Sequence, residues 1–145
     1  DEKRREIALK VGADYAFDST DPALSRKIMK LTGDLGLKVV YEAVGATAPI
    51  QTAVSLARKG GTVVLVGNVS PKIELPLQSV VTRQIRLQGS CAINGEYPAV
   101  LKMMADKVLD VTDLISKTAP LSEGKLWFDR LYNKEGDLLK VVLIP

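Results

Sequence analysis

The sequence predicts an α/β protein built on a partial doubly wound parallel sheet. Three observations predict it. Segments with helical apolar spacing alternate along the chain with short β-branched runs. The two strongest runs, at 38–44 and 62–66, are largely continuous in apolar character, which suits strands covered on both faces. Each run is followed at once by glycine, Gly45 and Gly67. In doubly wound sheets ligands sit at such carboxyl strand ends, and glycine there allows close backbone approach. A tight turn explains the same glycines, and spacing alone does not separate the two readings.

The elements follow in order. Residues 2–11 predict a helix with Ile7, Ala8 and Val11 on one stripe and Gly12 as its stop. Residues 14–18 predict a short strand. Asp21-Pro22 then offers a cap and a first helical position, and Leu24, Ile28 and Leu31 continue at helical spacing to Gly33. After the 38–44 strand, Thr47 and Pro49 open a helix whose inner stripe is Ile50, Ala53, Val54 and Ala57; Gly60-Gly61 breaks it before the 62–66 strand. Pro71, Ile73, Leu75, Pro76 and Leu77 suggest an extended connection. Ile85-Arg86-Leu87-Gln88 alternates apolar and polar residues, as an edge strand does. Residues 98–108 predict a helix with Leu101, Met104, Ala105 and Val108 inward. The tail holds an extended piece at 114–118, a helix at 122–132 and a strand at 140–144.

Absences bound the chemistry. The chain has no histidine and one cysteine, Cys91, so it supplies neither a tetrahedral zinc site nor a histidine-based nucleophile system of its own. One cysteine fits a reducing, cytoplasmic setting. The net charge of +3 is spread among acidic neighbours, as in Asp1-Glu2-Lys3-Arg4-Arg5-Glu6, so no nucleic-acid footprint is expected. No apolar run approaches a membrane span, and the first residues do not resemble a secretory signal.

Several motifs in sequence carry a resemblance to a known family. They are Arg4 with Ala8 and Val11-Gly12-Ala13-Asp14; Val40-Tyr41-Glu42-Ala43-Val44-Gly45; and Lys59-Gly60-Gly61-Thr62-Val63-Val64-Leu65-Val66-Gly67. Leu87-Gln88-Gly89-Ser90, Asp113-Leu114-Ile115 and Lys140-Val141-Val142-Leu143-Ile144-Pro145 complete the series. Together they resemble the zinc-type medium-chain dehydrogenase/reductase family, in its alcohol, sorbitol and threonine dehydrogenase branch, over essentially the whole chain. The resemblance departs at Lys117, where the family often has histidine, and at Trp127, where it more often has a small residue.

The resemblance implies a Rossmann-type nucleotide domain whose strands 1 and 2 are missing here. Residues 1–111 would be the partial dinucleotide-binding domain, and 112–145 a tail that returns to the catalytic domain. No Gly-x-Gly-x-x-Gly turn occurs in the chain. The resemblance also implies cofactor contacts by position. Arg4 would lie near the adenosine ribose. Ala43, Val44 and Gly45 would wall the nicotinamide ribose. The backbone of Val66, Gly67 and Asn68 would approach the nicotinamide, and that of Ser90, Cys91 and Ala92 would pair with its carboxamide. Lys140 would reach the pyrophosphate. Arg4 and Lys140 read equally as solvated side chains, and Cys91 as a small packing residue. Glu42, in an otherwise apolar strand, is expected to be a structural hydrogen-bonding residue without a proton-transfer role, since a buried carboxylate needs partners.

The expected parent activity is hydride transfer between a nicotinamide dinucleotide, NAD or NADP with NAD favoured, and a small alcohol or polyol. Zinc would act only in the absent N-terminal part, leaving this chain without catalytic or metal residues and inactive alone. The resemblance further implies a homodimer through the 85–88 edge. A zinc-free quinone reductase of the same superfamily, a methyltransferase-like α/β module and a non-catalytic binding domain are the alternatives.

Overall fold

The computed structural model describes residues 1–145, and these form two compact units, one of residues 19–93 and one of residues 1–18 with 94–145.

The first unit is a three-stranded, wholly parallel sheet with helical crossovers. Helix α2 (Leu24–Leu31) leads to β1 (Leu37–Glu42), then α3 (Thr47–Leu56), β2 (Ala57–Leu65), α4 (Leu77–Thr82) and β3 (Arg86–Gly89). The order is β1-β2-β3, so β2, which holds the 62–66 run, is central. Val39, Val40, Tyr41 and Glu42 pair with Thr62, Val63, Val64 and Leu65 in turn. On the other side Thr62 to Leu65 pair with Arg86 to Gly89. Parallel strands joined through helices are the unit of a doubly wound sheet.

The core explains why these strands stack in this register. Ala53, Val54, Ala57, Val63 and Ile85 are buried together, with Val40, Leu65, Val80 and Leu87 packed against them. Val40, Val63 and Leu87 stand side by side on one face, because the strand period is two and the pairs are in register. The opposite face differs from expectation along β1, where Val39 and Tyr41 are 44% and 73% exposed, while Thr62 and Val64 of β2 are half-buried.

Several boundaries moved for identifiable reasons. β2 begins at Ala57, five residues before the apolar run, and its register with β1 slips between Leu37 and Val39. Residues 58–61 form the slack of that slip, and the Gly60 N–H donates to the Arg83 carbonyl at 2.9 Å. The Arg83 guanidinium in turn donates to the carbonyls of Val54 and Ala57, satisfying acceptors that the end of α3 leaves open. The expected extended connection ends in a helix instead, since Leu77 is the first residue of α4. Asp21 caps one turn early: its carboxylate takes the Ala23 N–H at 2.8 Å, and α2 starts at Leu24.

The second unit opens with α1 (Glu2–Lys10), whose first turn is capped by Asp1 through the Arg4 N–H at 3.0 Å. Residues 14–18 are not a strand. No strand pairs with them, and without ladder hydrogen bonds an extended segment stays irregular. Tyr15 and Phe17, two residues apart, stack with centroids 6.1 Å apart. Helix α5 (Tyr97–Ala105) forms, but its expected inner residues are exposed; Leu101 is 56% and Val108 71% accessible. A parallel pair closes the chain: β4 (Lys117–Pro120) and β5 (Val141–Ile144), joined by α6 (Gly124–Tyr132). Trp127 of α6 is buried, donates to the Glu123 carboxylate at 2.9 Å, and carries the Arg130 guanidinium 4.7 Å above its ring.

Candidate functional site

The carboxyl ends of β1 and β2 meet in a knot of backbone hydrogen bonds around one side chain. Glu42, the last residue of β1, is 4% exposed and is the sole buried charged residue. Its Oε1 accepts the N–H groups of Val44 at 2.8 Å and Gly45 at 3.0 Å, and its Oε2 also accepts that of Gly45 at 2.9 Å. The Glu42 carbonyl accepts the N–H groups of Val66 at 2.8 Å and Gly67 at 3.0 Å. The Ser70 N–H donates to the Gly45 carbonyl at 2.9 Å. One residue therefore ties two neighbouring strand ends together from both its side chain and its main chain.

The glycines are required by this approach. A Cβ on Gly45 would overlap the backbone of Gly67 and Asn68, and a Cβ on Gly67 would overlap the backbone of Val44 and Gly45. Gly45 also has φ of 79°, which side chains rarely adopt. Of the residues assigned by resemblance, Ala43, Val44 and Gly45 are thus brought against Val66, Gly67 and Asn68. The carbonyls of Ala43, Val44 and Val66 take no hydrogen bond from the chain. A cleft of about 490 Å³ opens beside β1, lined among others by Ser19, Thr20, Ala43, Val44, Ala48 and Thr52.

Ser90 joins the same row of strand ends. Its N–H donates to the Leu65 carbonyl at 3.0 Å, just past β3. Cys91 and Ala92 follow, exposed, with Ala92 at φ of 44°. Cys91 is therefore not the packing residue that its small apolar character suggested.

Arg4 and Lys140 belong to the other unit. Arg4 lines a cleft of about 420 Å³ with Asp1, Lys3, Lys134 and Asp137, and its Nε stands 3.5 Å from the Asp1 carboxylate. Lys140 is exposed, and its carbonyl accepts the Ser116 N–H at 2.8 Å. No three His, Cys, Asp or Glu residues are grouped so as to hold a metal ion. The donor set here does not suit zinc.

Sequence reasoning assigned Glu42 a structural hydrogen-bonding role, and the four amides around it bear that out. It did not foresee that the Glu42 main chain would hold the β2 end as well. The available signal was an acid three residues before a strand-end glycine.

The model of the zinc-binding dehydrogenase family matches residues 1–106. The chain belongs to that family. The resemblance read from the motifs is thereby borne out, as is the α/β fold with parallel strands. The D-arabitol-phosphate dehydrogenase of Enterococcus avium is 30% identical over 145 residues, covering 99% of this chain and 41% of that protein. Human sorbitol dehydrogenase is 30% identical over 142 residues, covering 97% of this chain and 39% of that one. The chain thus spans about two fifths of the length of these curated relatives.

Among solved zinc-binding dehydrogenases, the zinc-dependent alcohol dehydrogenase 2 of Streptococcus pneumonia superposes with a TM-score of 0.91 at 26% identity, over 99% of this chain and 42% of that one. A chain from Sinorhizobium meliloti 1021, described as a zinc-binding dehydrogenase bound to NADP, gives 0.87 at 25% identity, over 100% of this chain and 43% of that one.

The glycine contact makes a direct prediction. Gly67→Ala forces two backbones apart and should lower stability by about 3 kcal/mol, the upper range for overpacking. Chemical denaturation of the two proteins measures it. A loss below about 1 kcal/mol would show that the strand ends are not in contact.

Proposed function

We propose that this chain is the nucleotide-domain part of an oxidoreductase that transfers a hydride between a nicotinamide dinucleotide and an alcohol or polyol. The carrying observation is the meeting of the β1 and β2 carboxyl ends, packed backbone to backbone through Gly45 and Gly67, with a cleft beside β1 lined by Ala43 and Val44 and with backbone carbonyls that take no hydrogen bond from the chain. A carboxamide or a ribose hydroxyl is recognised well by such groups. The polyol and alcohol dehydrogenases among the relatives support the substrate class.

In this reading Ala43, Val44 and Gly45 wall the nicotinamide ribose. Val66, Gly67 and Asn68 back the nicotinamide, and Ser90, Cys91 and Ala92 offer main-chain groups to its carboxamide. Arg4 and Lys140 serve the adenosine ribose and the pyrophosphate. Residues 1–111 are part of the dinucleotide-binding domain, and 112–145 return to the catalytic domain. The dinucleotide, when bound, accepts or supplies the hydride; the chain's own groups orient it and exclude water. NAD is the proposed cofactor, with NADP, as in the Sinorhizobium meliloti structure, the second reading. Zinc would be held by residues outside this chain, and the setting is proposed to be cytoplasmic. No helix is long and apolar enough to cross a membrane.

Association through the β3 edge is also proposed. β3 pairs with β2 on one side only. The Ser90 N–H points to β2, so by strand alternation the Gly89 N–H faces the open side. An open edge of this kind invites a second copy.

Two measurements test these proposals. Calorimetric titration of this chain should give an NADH dissociation constant well above micromolar, a level that needs about 8 kcal/mol. Few side chains here can hold pyrophosphate charge, and exposed ion pairs contribute about 1 kcal/mol or less each. The same titration with zinc should show no specific uptake. Micromolar NADH binding, or stoichiometric zinc, would contradict the assignment of those functions elsewhere. In sedimentation the chain should run as a dimer and Gly89→Pro as a monomer, since proline removes the outward N–H and a Cβ at this position meets no neighbour. A dimer that survives Gly89→Pro refutes the edge.

A further inference from the structure

Glu42 is the chain's sole buried charged group, and no Lys or Arg is paired with it. Burying a carboxylate without a cationic partner is costly, and two charge-assisted amide donors, Val44 and a Gly45 N–H shared between both oxygens, offset that cost. Why an acid and not glutamine stands there follows from the geometry. Both carboxylate oxygens lie within 3.0 Å of the Gly45 N–H, so an amide nitrogen in place of Oε2 would set donor against donor. The position demands two acceptors.

The consequence reaches the groups a ligand would meet. In a trans peptide the N–H of one residue and the carbonyl of the preceding residue point in opposite directions. The Val44 and Gly45 amides point inward at the carboxylate, so the carbonyls of Ala43 and Val44 point away from it. The Val66 and Gly67 amides point at the Glu42 carbonyl, so those of Leu65 and Val66 also turn away. Leu65 is taken by Ser90, and Ala43, Val44 and Val66 remain free.

We infer that Glu42 is a positioning residue for the dinucleotide cleft: its carboxylate and carbonyl fix four amides inward and thereby present the Ala43, Val44 and Val66 carbonyls as an acceptor set for ligand hydroxyl and amide donors. This rests on the dinucleotide reading above. Glu42 also lines the cleft beside β1, but its carboxylate is engaged by the Val44 and Gly45 amides, so it acts through the two turns. Its oxygens are occupied by backbone amides, and no proton-transfer role is assigned to it.

The test uses the whole chain, isotopically labelled, with Glu42→Gln and Glu42→Asp. Aspartate keeps the charge and can reach the N–H two residues on, but loses the reach to Gly45. Amide hydrogen exchange should accelerate about tenfold or more at Val44 and Gly45 in Glu42→Gln, the effect of losing one charged hydrogen bond. In Glu42→Asp the acceleration should centre on Gly45. Val63 and Val64, within β2, should keep their protection in both. Millimolar NADH should shift the amides of residues 43–45, 66–68 and 90–92 in the parent chain, and these shifts should shrink in the variants while the fold persists. If Glu42→Gln does not fold, Glu42→Asp carries the comparison. Unchanged exchange at Val44 and Gly45 overturns the clamp. Altered exchange with undiminished NADH shifts makes Glu42 structural only and overturns its positioning role. Altered exchange with no NADH shift even in the parent chain removes the dinucleotide reading, and the inferred ligand role with it.

Discussion

The capture of four backbone amides by one glutamate is the constraint on which the strand-end region depends. Glu42 is placed at the end of an otherwise apolar strand, on the face that packs against α3 and α4. An unpaired carboxylate there would be untenable. Hydrogen bonds to a charged group contribute about 1.5–3 kcal/mol each, enough for the amides of Val44 and Gly45 to hold it. Once the carboxylate is held, the chain after β1 must turn at once, and the β2 end must lie against it to bring Val66 and Gly67 to the Glu42 carbonyl. The absence of side chains at Gly45 and Gly67 follows from that distance. The glycines are consequences of the glutamate's geometry as much as conditions for it.

The rest of the unit delivers the two strand ends in register. Val54 and Val63 are fully buried and lock α3 onto β2. Helix α3 starts two residues after Gly45 and ends where β2 begins, so the β1–α3–β2 path is short and leaves little slack. What slack exists lies at the far end, in residues 58–61, where Arg83 binds the last carbonyls of α3. Irregularity is thus tolerated at the amino end of β2 and excluded at its carboxyl end. This agrees with the general placement of ligand sites in parallel sheets.

Much of this was legible in the sequence because it rests on local chemistry. The continuous apolar run at 62–66 marks a strand, and the Val44-Gly45 and Val66-Gly67 pairs mark where two strands end. Glu42 stood out as the one acid in an apolar run. Other features depend on tertiary contacts that no local pattern encodes. Helix α4 is rich in β-branched residues, which lower helix propensity, and Val80 packing into the core supports it as a helix. Residues 14–18 have strand composition but no strand beside them. The apolar stripe of α5 is present in the sequence yet exposed in the structure, because periodicity reports which face can be buried and not what covers it. Cys91 misled in the same way, a small apolar residue placed in an exposed segment after β3.

The bonds to Glu42 are observed directly by scalar couplings transmitted through hydrogen bonds. In the labelled chain, the Val44 and Gly45 amide nitrogens should couple to the Glu42 side-chain carboxyl carbon, and those of Val66 and Gly67 to its backbone carbonyl carbon. Absence of the side-chain couplings, with Val44 and Gly45 amides exchanging as freely as in an unfolded chain, would contradict those bonds.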